Sequence, residues 1–373
     1  MSVVIFIIIL LVLVVVHEFG HFFTAKRFGI RVDEFGFGFQ PKLFGIKKGE
    51  TLYSFNLFPI GGFVKIFGEN PDQESINGPD NARSFVNKAK WKQAIVLFAG
   101  VFMNFLLAWF LFSFGMASGM PTSVGSELPG DELEDVNLVI VSVLPDSPAD
   151  KAGLHPGDAI VSMASLSSDI GEKVENLKEL NPDTVKSFVL AHPEKELEIG
   201  YTRGRDRENV KFTHTVSEKN TSGQPAIGIA MDQIGVAKLP FFRALWEGLS
   251  LTLSVTKDTA VGLYSLIREA IMGHGSLATV TGPVGMVSIV GEAYDFGFAY
   301  LLSFAAIISI NLAIINLLPF PALDGGRLLF LLIEKIKHSP LNPKIANTLN
   351  TLGFGMLIIL MILVTYHDVV RLL

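Results

Sequence analysis

Apolar residues in this chain gather into four long runs. Val3 to Val16 is an unbroken run of fourteen, continuing through His17-Glu18 to Ala25 before Lys26-Arg27. A second covers Ala94 to about Met116, a third about Phe298 to Phe320, and a fourth about Leu352 to Thr365. Crossing a bilayer takes a helix of about 20 residues, so each run predicts one span, the fourth with its mildly polar flanks. The first run reads as a span rather than a cleaved signal peptide. It has no basic residue before it, and it ends in His-Glu and Lys-Arg rather than at a small-residue cleavage site.

Between the second and third runs the pattern changes. From about 127 to 235 the chain is charged, and β-branched segments alternate with turn residues. Leu138–Val143, Leu197–Thr202 and Asn209–Val216 read as strands. Ser147-Pro148 opens a short helix with an N-cap and a proline at its first position. Gly153 ends that helix, and His155-Pro-Gly-Asp158 turns into the next strand. In the first polar loop, Phe35–Phe39 and Tyr53–Lys65 alternate aromatic with small or polar residues, the pattern of β-hairpins with an apolar face.

Loop charge orients the spans. Lys26 to Lys92 carries eleven Lys/Arg against seven Asp/Glu, whereas Pro121 to Gly235 carries ten against twenty. Basic loops stay cytoplasmic, so the first loop is expected inside and the second outside. The loop with Arg327, Lys335, Lys337 and Lys344 is again basic, which puts both termini outside. Residues 240–292 are only moderately apolar. A full span there would invert the last loop, and Lys257-Asp258 lies in mid-segment. One or two interfacial helices are expected instead.

The predicted fold class is a polytopic α-helical membrane protein with four transmembrane helices, a cytoplasmic membrane-associated β-hairpin region and one extracytoplasmic α+β domain. The expected order is helix 1 (1–26), cytoplasmic loop (27–92), helix 2 (93–117), soluble insert (127–235) and interfacial region (236–297). Helix 3 (298–326), a cytoplasmic loop (327–347) and helix 4 (348–373) follow. Composition agrees with lipid contact: 49% of the 373 residues are hydrophobic and 18% charged, against about a quarter charged in soluble chains. A net charge of −6 gives no reason to expect nucleic acid. The absence of cysteine excludes disulfides, thiolate metal sites and a cysteine nucleophile.

The chemical signal is His17-Glu18-Phe19-Gly20-His21. Residues four apart share a helix face, so both imidazoles can reach one ion. Glu18, beside the first ligand, is placed to act as general base. Imidazole with carboxylate suits zinc, and ionisable residues inside a span default to a functional reading. A catalytic zinc usually takes three protein ligands. The acid nearest the inner end of the third span is Asp324, in Asn316-Leu-Leu-Pro319-Phe-Pro321-Ala-Leu-Asp324-Gly-Gly-Arg327. The first and third spans both run inwards, so His17, His21 and Asp324 fall on the cytoplasmic side. Pro319 and Pro321 break the helix, and backbone freed at membrane depth needs protein or water around it. A wet cavity beside Asp324 is therefore expected.

Taken together, His-Glu-x-x-His in the first span and Asn-x-x-Pro-x-x-x-x-Asp-Gly at the third resemble the site-2 protease family of intramembrane metalloproteases. The stretch Leu144–Val161 resembles part of a PDZ domain, which binds peptides by strand addition. Its position between spans two and three is similar to the bacterial regulator of sigma-E protease branch. This insert has room for one such domain where many larger relatives carry two. The resemblance covers essentially the whole chain.

It implies that His17, His21 and Asp324 bind zinc and that Glu18 is the catalytic acid/base. It also implies that Asn104, in Gly100-x-x-x-Asn104, acts with Asn316 and Pro319 to position an unwound substrate. Thr281-Gly-Pro-Val-Gly285 resembles a further family motif with no role apparent from the residues. The implied substrates are single-span membrane proteins such as anti-sigma factors or remnant signal peptides, cut within the bilayer of the bacterial inner membrane. The rival reading is a membrane-anchored PDZ adaptor or chaperone with a structural metal site. His155, His192, His214, His274, His338 and His367 lack ligand spacing.

Overall fold

The computed structural model describes residues 1–124, 133–144, 146–166, 175–204, 206–219, 224–273 and 281–372. The expected start of the insert at 127, the linking residues 274–280 and His274 lie outside the described residues.

With no proline and one glycine between them, the residues of the first apolar run form one helix, α1 (Ser2–Arg27). Lys26 and Arg27 fill its last turn, where cations favour the negative end of the helix dipole. Two long antiparallel strands follow, β1 (Val32–Lys48) and β2 (Thr51–Ile66). Each strand folds on itself. Residues 42–48 pair with 51–56, whereas residues 32–37 lie between 52–55 and 62–66. Phe37 and Phe44 both stack on Phe55, with ring centroids 4.7 Å away in each case. A short helix, α2 (Gln73–Asn77), leads to α3 (Lys90–Ser118).

The next elements are β3 (Met120–Ser123), β4 (Leu133–Val143), α4 (Pro148–Lys151), β5 (Ala159–Leu166) and β6 (Glu175–Asn176). After them come α5 (Pro182–Ala191), β7 (Glu196–Arg203), β8 (Asp206–Val216), β9 (Glu218–Lys219), β10 (Pro225–Ala226) and β11 (Ile229–Ala237). The chain ends in five helices: α6 (Phe241–Ile271), α7 (Pro283–Phe296), α8 (Phe298–Leu317), α9 (Asp324–Lys337) and α10 (Pro343–Leu372). Four of the described helices, α1, α3, α8 and α10, are long and apolar enough to cross a membrane.

The chain divides into two compact units. One comprises Phe114–Ala244 with Glu292–Leu302. Its seven-stranded sheet runs β3-β11-β4-β5-β7-β8, with β6 beside β5. Leu138, Ile140, Ile160, Met163, Val185, Phe188, Leu197 and Ile199 form the buried core under α5. Local chemistry shapes its first turn. Ser147 accepts from the Asp150 amide to cap α4, and Gly153 takes a φ of +74° just beyond it. Asp158, wholly buried, accepts from the His155 amide and from the Arg203 guanidinium at 2.6 and 2.7 Å. That pairing raises the Arg203 pKa above its ordinary value.

The other unit comprises Met1–Ser113, Leu245–Gly291 and Ser303–Leu373. Lipid tails are as apolar as leucine, so helices associate here through close packing and hydrogen bonds. Gly20 supplies the close packing: a Cβ there would lie 2.3 Å from the Ala99 carbonyl oxygen on α3. Gly248 on α6 does the same against Ser113, and the Trp109 indole donates to the Leu245 carbonyl at 2.9 Å. Below them Ala25, Ile30, Val32, Ile66, Phe85, Val96 and Leu97 form an apolar cluster joining α1, the β1–β2 sheet and α3.

Three differences from the sequence reading matter for the site. The helix of the third run stops at Leu317, so Asp324 is not on that span but is the first residue of α9. Pro319 and Pro321 explain this, since neither has an amide to continue the ladder and each disfavours helix in the residue before it. The expected loop at 327–347 is largely helix, and the last long helix starts at Pro343 rather than 348. The Thr281–Gly285 motif also gains a physical role. Asp368 on α10 accepts the Gly282 and Gly285 amides at 3.1 and 2.9 Å, clamping the first turn of α7.

Candidate metal centre

Helix α1 brings His17 and His21 onto one face, where both are buried. Asp324 reaches them from the start of α9. The turn that delivers it is built around Ala322, which holds a φ of +78° and donates its amide to Asn350 of α10 at 3.2 Å. The chain doubles back so tightly that a Cβ at Gly325 would sit 2.2 Å from the Leu317 carbonyl oxygen, and one at Gly326 2.1 Å from that of Phe320. The two glycines after Asp324 are therefore part of how it is presented.

His17 Nε2 and His21 Nε2 lie 3.1 and 3.2 Å from Asp324 Oδ2, and 3.2 Å from each other. They are the only group of three or more potential metal-ligating residues among the described residues. Four-coordinate zinc with bonds of about 2.0–2.1 Å has ligand atoms roughly 3.3 Å apart, so the donor triangle fits that ion. His21 Nδ1 donates to the Val96 carbonyl at 2.8 Å when its proton is there, which frees Nε2 as a ligand. Gly100 completes the cradle. A Cβ at that position would lie 2.4 Å from His21 Nε2 and 2.8 Å from His17 Nε2.

The triad opens on a cavity of about 320 Å³ also lined by Glu18, Phe63, Val64, Asn316 and Leu323. Val64, near the end of β2, lines the cavity beside Glu18. Gly62 lets that strand come close, since a Cβ there would be 3.0 Å from the Gly36 carbonyl oxygen and 3.9 Å from Glu18 Cγ. Asn316 and Asp324 thus share the cavity with Glu18. Pro319 is exposed and does not line it, although it helps end α8. Asn104 does not line it either. It is fully buried, with Nδ2 3.3 Å from His17 Nδ1.

Sequence reasoning missed several contributors. Glu69 and Arg327 pair with each other on the cavity wall, and Arg327 also donates to Asn70 at 3.3 Å. Arg327 follows Asp324 by three residues and so shares its face of α9, a spacing that carried the signal. Asn350 acts across the chain, which spacing does not reveal. Of the remaining described histidines, His192 approaches the Phe188 carbonyl and His214 faces Glu196.

Residues 5–360 match the model of peptidase family M50. A Clostridium perfringens protein assigned, but not established, as a zinc metalloprotease is 33% identical over 361 residues, covering 96% of this chain and 95% of its own. The zinc metalloprotease RasP of Shouchella clausii is 29% identical, with 98% of each chain covered. RasP of Oceanobacillus iheyensis is also 29% identical, covering 100% of this chain and 99% of its own, over 449 aligned positions against 373 residues here. RasP is thus longer by internal insertions, while the Clostridium protein aligns almost without them. With the family model running nearly from end to end, this chain belongs to peptidase family M50 and is a membrane zinc metalloprotease.

Proposed function

We propose that the protein cleaves single-span membrane proteins within or near their transmembrane segments, with zinc held by His17, His21 and Asp324. The observation that carries the reading is the triangle of Nε2, Nε2 and Oδ2 atoms 3.1–3.2 Å apart, facing a cavity that also contains Glu18. Zinc in such a site supplies Lewis-acid polarisation of a peptide carbonyl and of water. Glu18 takes the proton of the attacking water on its carboxylate and passes it to the leaving amine nitrogen. His17, His21 and Asp324 would offer the zinc lone pairs from Nε2, Nε2 and Oδ2.

A helical substrate hides its amides in its own hydrogen bonds, so it has to be locally unwound before attack. Asn316 in the cavity offers an amide to an extended backbone, just before the helix break at Pro319. The insert of residues 127–235 acts as an extracytoplasmic PDZ domain that binds peptide segments. The capped α4 turn and the antiparallel strands beside α5 support that reading. Loop charge supports cytoplasmic placement of the β1–β2 sheet and of the catalytic cavity, with both termini outside, in the bacterial inner membrane. Helix α6, 31 residues with polar and apolar faces, lies at the membrane interface. Membership of a metalloprotease family displaces the adaptor reading.

The test is Glu18→Gln in reconstituted vesicles containing a single-span reporter. Zinc content stays at the parent level and cleavage is abolished. Retained cleavage would overturn the assignment of Glu18.

A further inference from the structure

We infer that Asn104 fixes the ring of His17 for metal binding, a positioning role distinct from the substrate contact implied by resemblance. The inference rests on His17 being a zinc ligand.

An imidazole that offers the lone pair of Nε2 to a metal carries its proton on Nδ1, and that N–H needs an acceptor to set tautomer and orientation. His21 has one in the Val96 carbonyl, 2.8 Å from its Nδ1. For His17 the neighbour of Nδ1 is the side-chain amide of Asn104, at 3.3 Å. Asn104 is fully buried, and its Oδ1 has no hydrogen-bond partner among the described residues. The amide has Nδ2 towards the ring. That arrangement sets donor against donor once Nδ1 is protonated, and it leaves the carbonyl unused. A half-turn of the amide removes both faults, because Oδ1 then accepts the His17 Nδ1 proton.

The backbone of α3 makes this specific. Val96, Gly100 and Asn104 are spaced by four, so they form one stripe along the helix. The stripe gives His21 its acceptor, keeps the space at the two Nε2 atoms clear, and gives His17 its acceptor. Asn104 is also anchored from behind, since its own carbonyl accepts the Ser309 hydroxyl from α8 at 2.8 Å. A residue aimed at a ligand from outside the cavity cannot touch a bound peptide, but it can hold the ligand still.

The experiment uses the full chain purified in detergent, with zinc affinity measured by competition against a chromophoric chelator. Asn104→Leu, close in size but with no acceptor, is expected to lower zinc affinity about 10–100-fold at unchanged helix content. Asn104→Asp keeps an acceptor oxygen and is expected to hold affinity near the parent. Zinc affinity unchanged in Asn104→Leu, with only the KM for a reporter altered, would overturn the inference in favour of a substrate contact. Equal loss in both variants would overturn it in favour of packing alone. Imidazole nitrogen shifts of the zinc-loaded parent give a measurement independent of any variant: a protonated Nδ1 on His17 is expected, and a metal-bound Nδ1 would refute the scheme. His17→Ala, run alongside, separates the two levels. If it keeps zinc, the ligand assignment itself falls, whatever Asn104 does.

Discussion

Gly100 faces His21 so closely that a methyl group on its Cα would lie 2.4 Å from the candidate ligand atom, Nε2. No real Cβ sits at that distance, so either the imidazole or the helix must move. The same methyl would be 2.8 Å from His17 Nε2, leaving neither ring free to absorb the shift alone. Gly100→Ala is therefore expected to lower bound zinc. It should also reduce reporter cleavage by about 100-fold, the scale for a displacement of about 1 Å in a catalytic group. Overpacking also costs about 1–3 kcal/mol. Zinc per protein and cleavage rate, measured on the same preparation, check this. Parent-level values for both would show that the cradle has room for a methyl group.

Much of this site was legible in the sequence. His17, Glu18 and His21 carry their geometry in their spacing, because a helix of known pitch turns i and i+4 to one side. Asp324 was found from loop charge and membrane depth, an argument that needs no knowledge of the turn holding it. Its element was misread all the same. Two prolines end α8 at Leu317, and a residue seven positions later begins a new helix. What the pattern could not carry were contacts across the chain. Asn350 supports Ala322, and Asp368 caps α7. They join residues 28 and 86 positions apart through backbone amides common to every residue type.

The Ala322–Asn350 hydrogen bond predicts a coupling between α10 and the metal. Ala322 sits in the left-handed region at φ +78°, a conformation that costs an L-residue about 1–2 kcal/mol. The Asn350 side chain is one of the contacts holding it there. Asn350→Ala removes a hydrogen bond worth about 0.5–1.5 kcal/mol, and the turn presenting Asp324 loosens. Zinc affinity is expected to fall by up to about tenfold, the equivalent of about 1.4 kcal/mol. Ala322→Gly should act in the opposite sense on stability, since glycine adopts the same φ without strain. Chelator competition and thermal unfolding in detergent read the two effects. A zinc affinity indifferent to Asn350→Ala would show that Asp324 is held by α9 alone.

Asp368 gives a prediction about stability rather than chemistry. Its carboxylate accepts two backbone amides, from Gly282 and Gly285, while only 6% exposed. Hydrogen bonds to a charged group are worth about 1.5–3 kcal/mol, so Asp368→Ala is expected to lower the thermal midpoint in detergent clearly. Gly282→Ala should do the same from the other side, because its Cβ would lie 2.6 Å from Asp368 Oδ2. The double variant should lose less than the sum, since both remove one contact. Additive losses would mean that the two substitutions act at separate places.

Glu50, at the turn between β1 and β2, predicts how stability responds to pH. Its carboxylate accepts from Lys26 at the end of α1 and from Arg83, each at 2.5 Å. Those two hydrogen bonds, Lys26 first, hold its pKa below the ordinary carboxylate range. A group whose folded pKa is depressed stabilises the fold above its unfolded pKa, about 4.3 for glutamate, and loses that contribution as pH falls towards the folded value. The side chain is 33% exposed, so solvent screening keeps the effect at less than about 1 kcal/mol. Glu50→Gln is therefore expected to be slightly less stable than the parent at pH 7. The gap should close as pH drops from about 5 to about 3, and it should shrink at pH 7 in about 1 M salt, where the Debye length is about 3 Å. Thermal unfolding of the two proteins across that range measures the gap. A difference that widens on acidification would have the wrong sign for a depressed carboxylate, and the network would then have to be stabilising through packing alone.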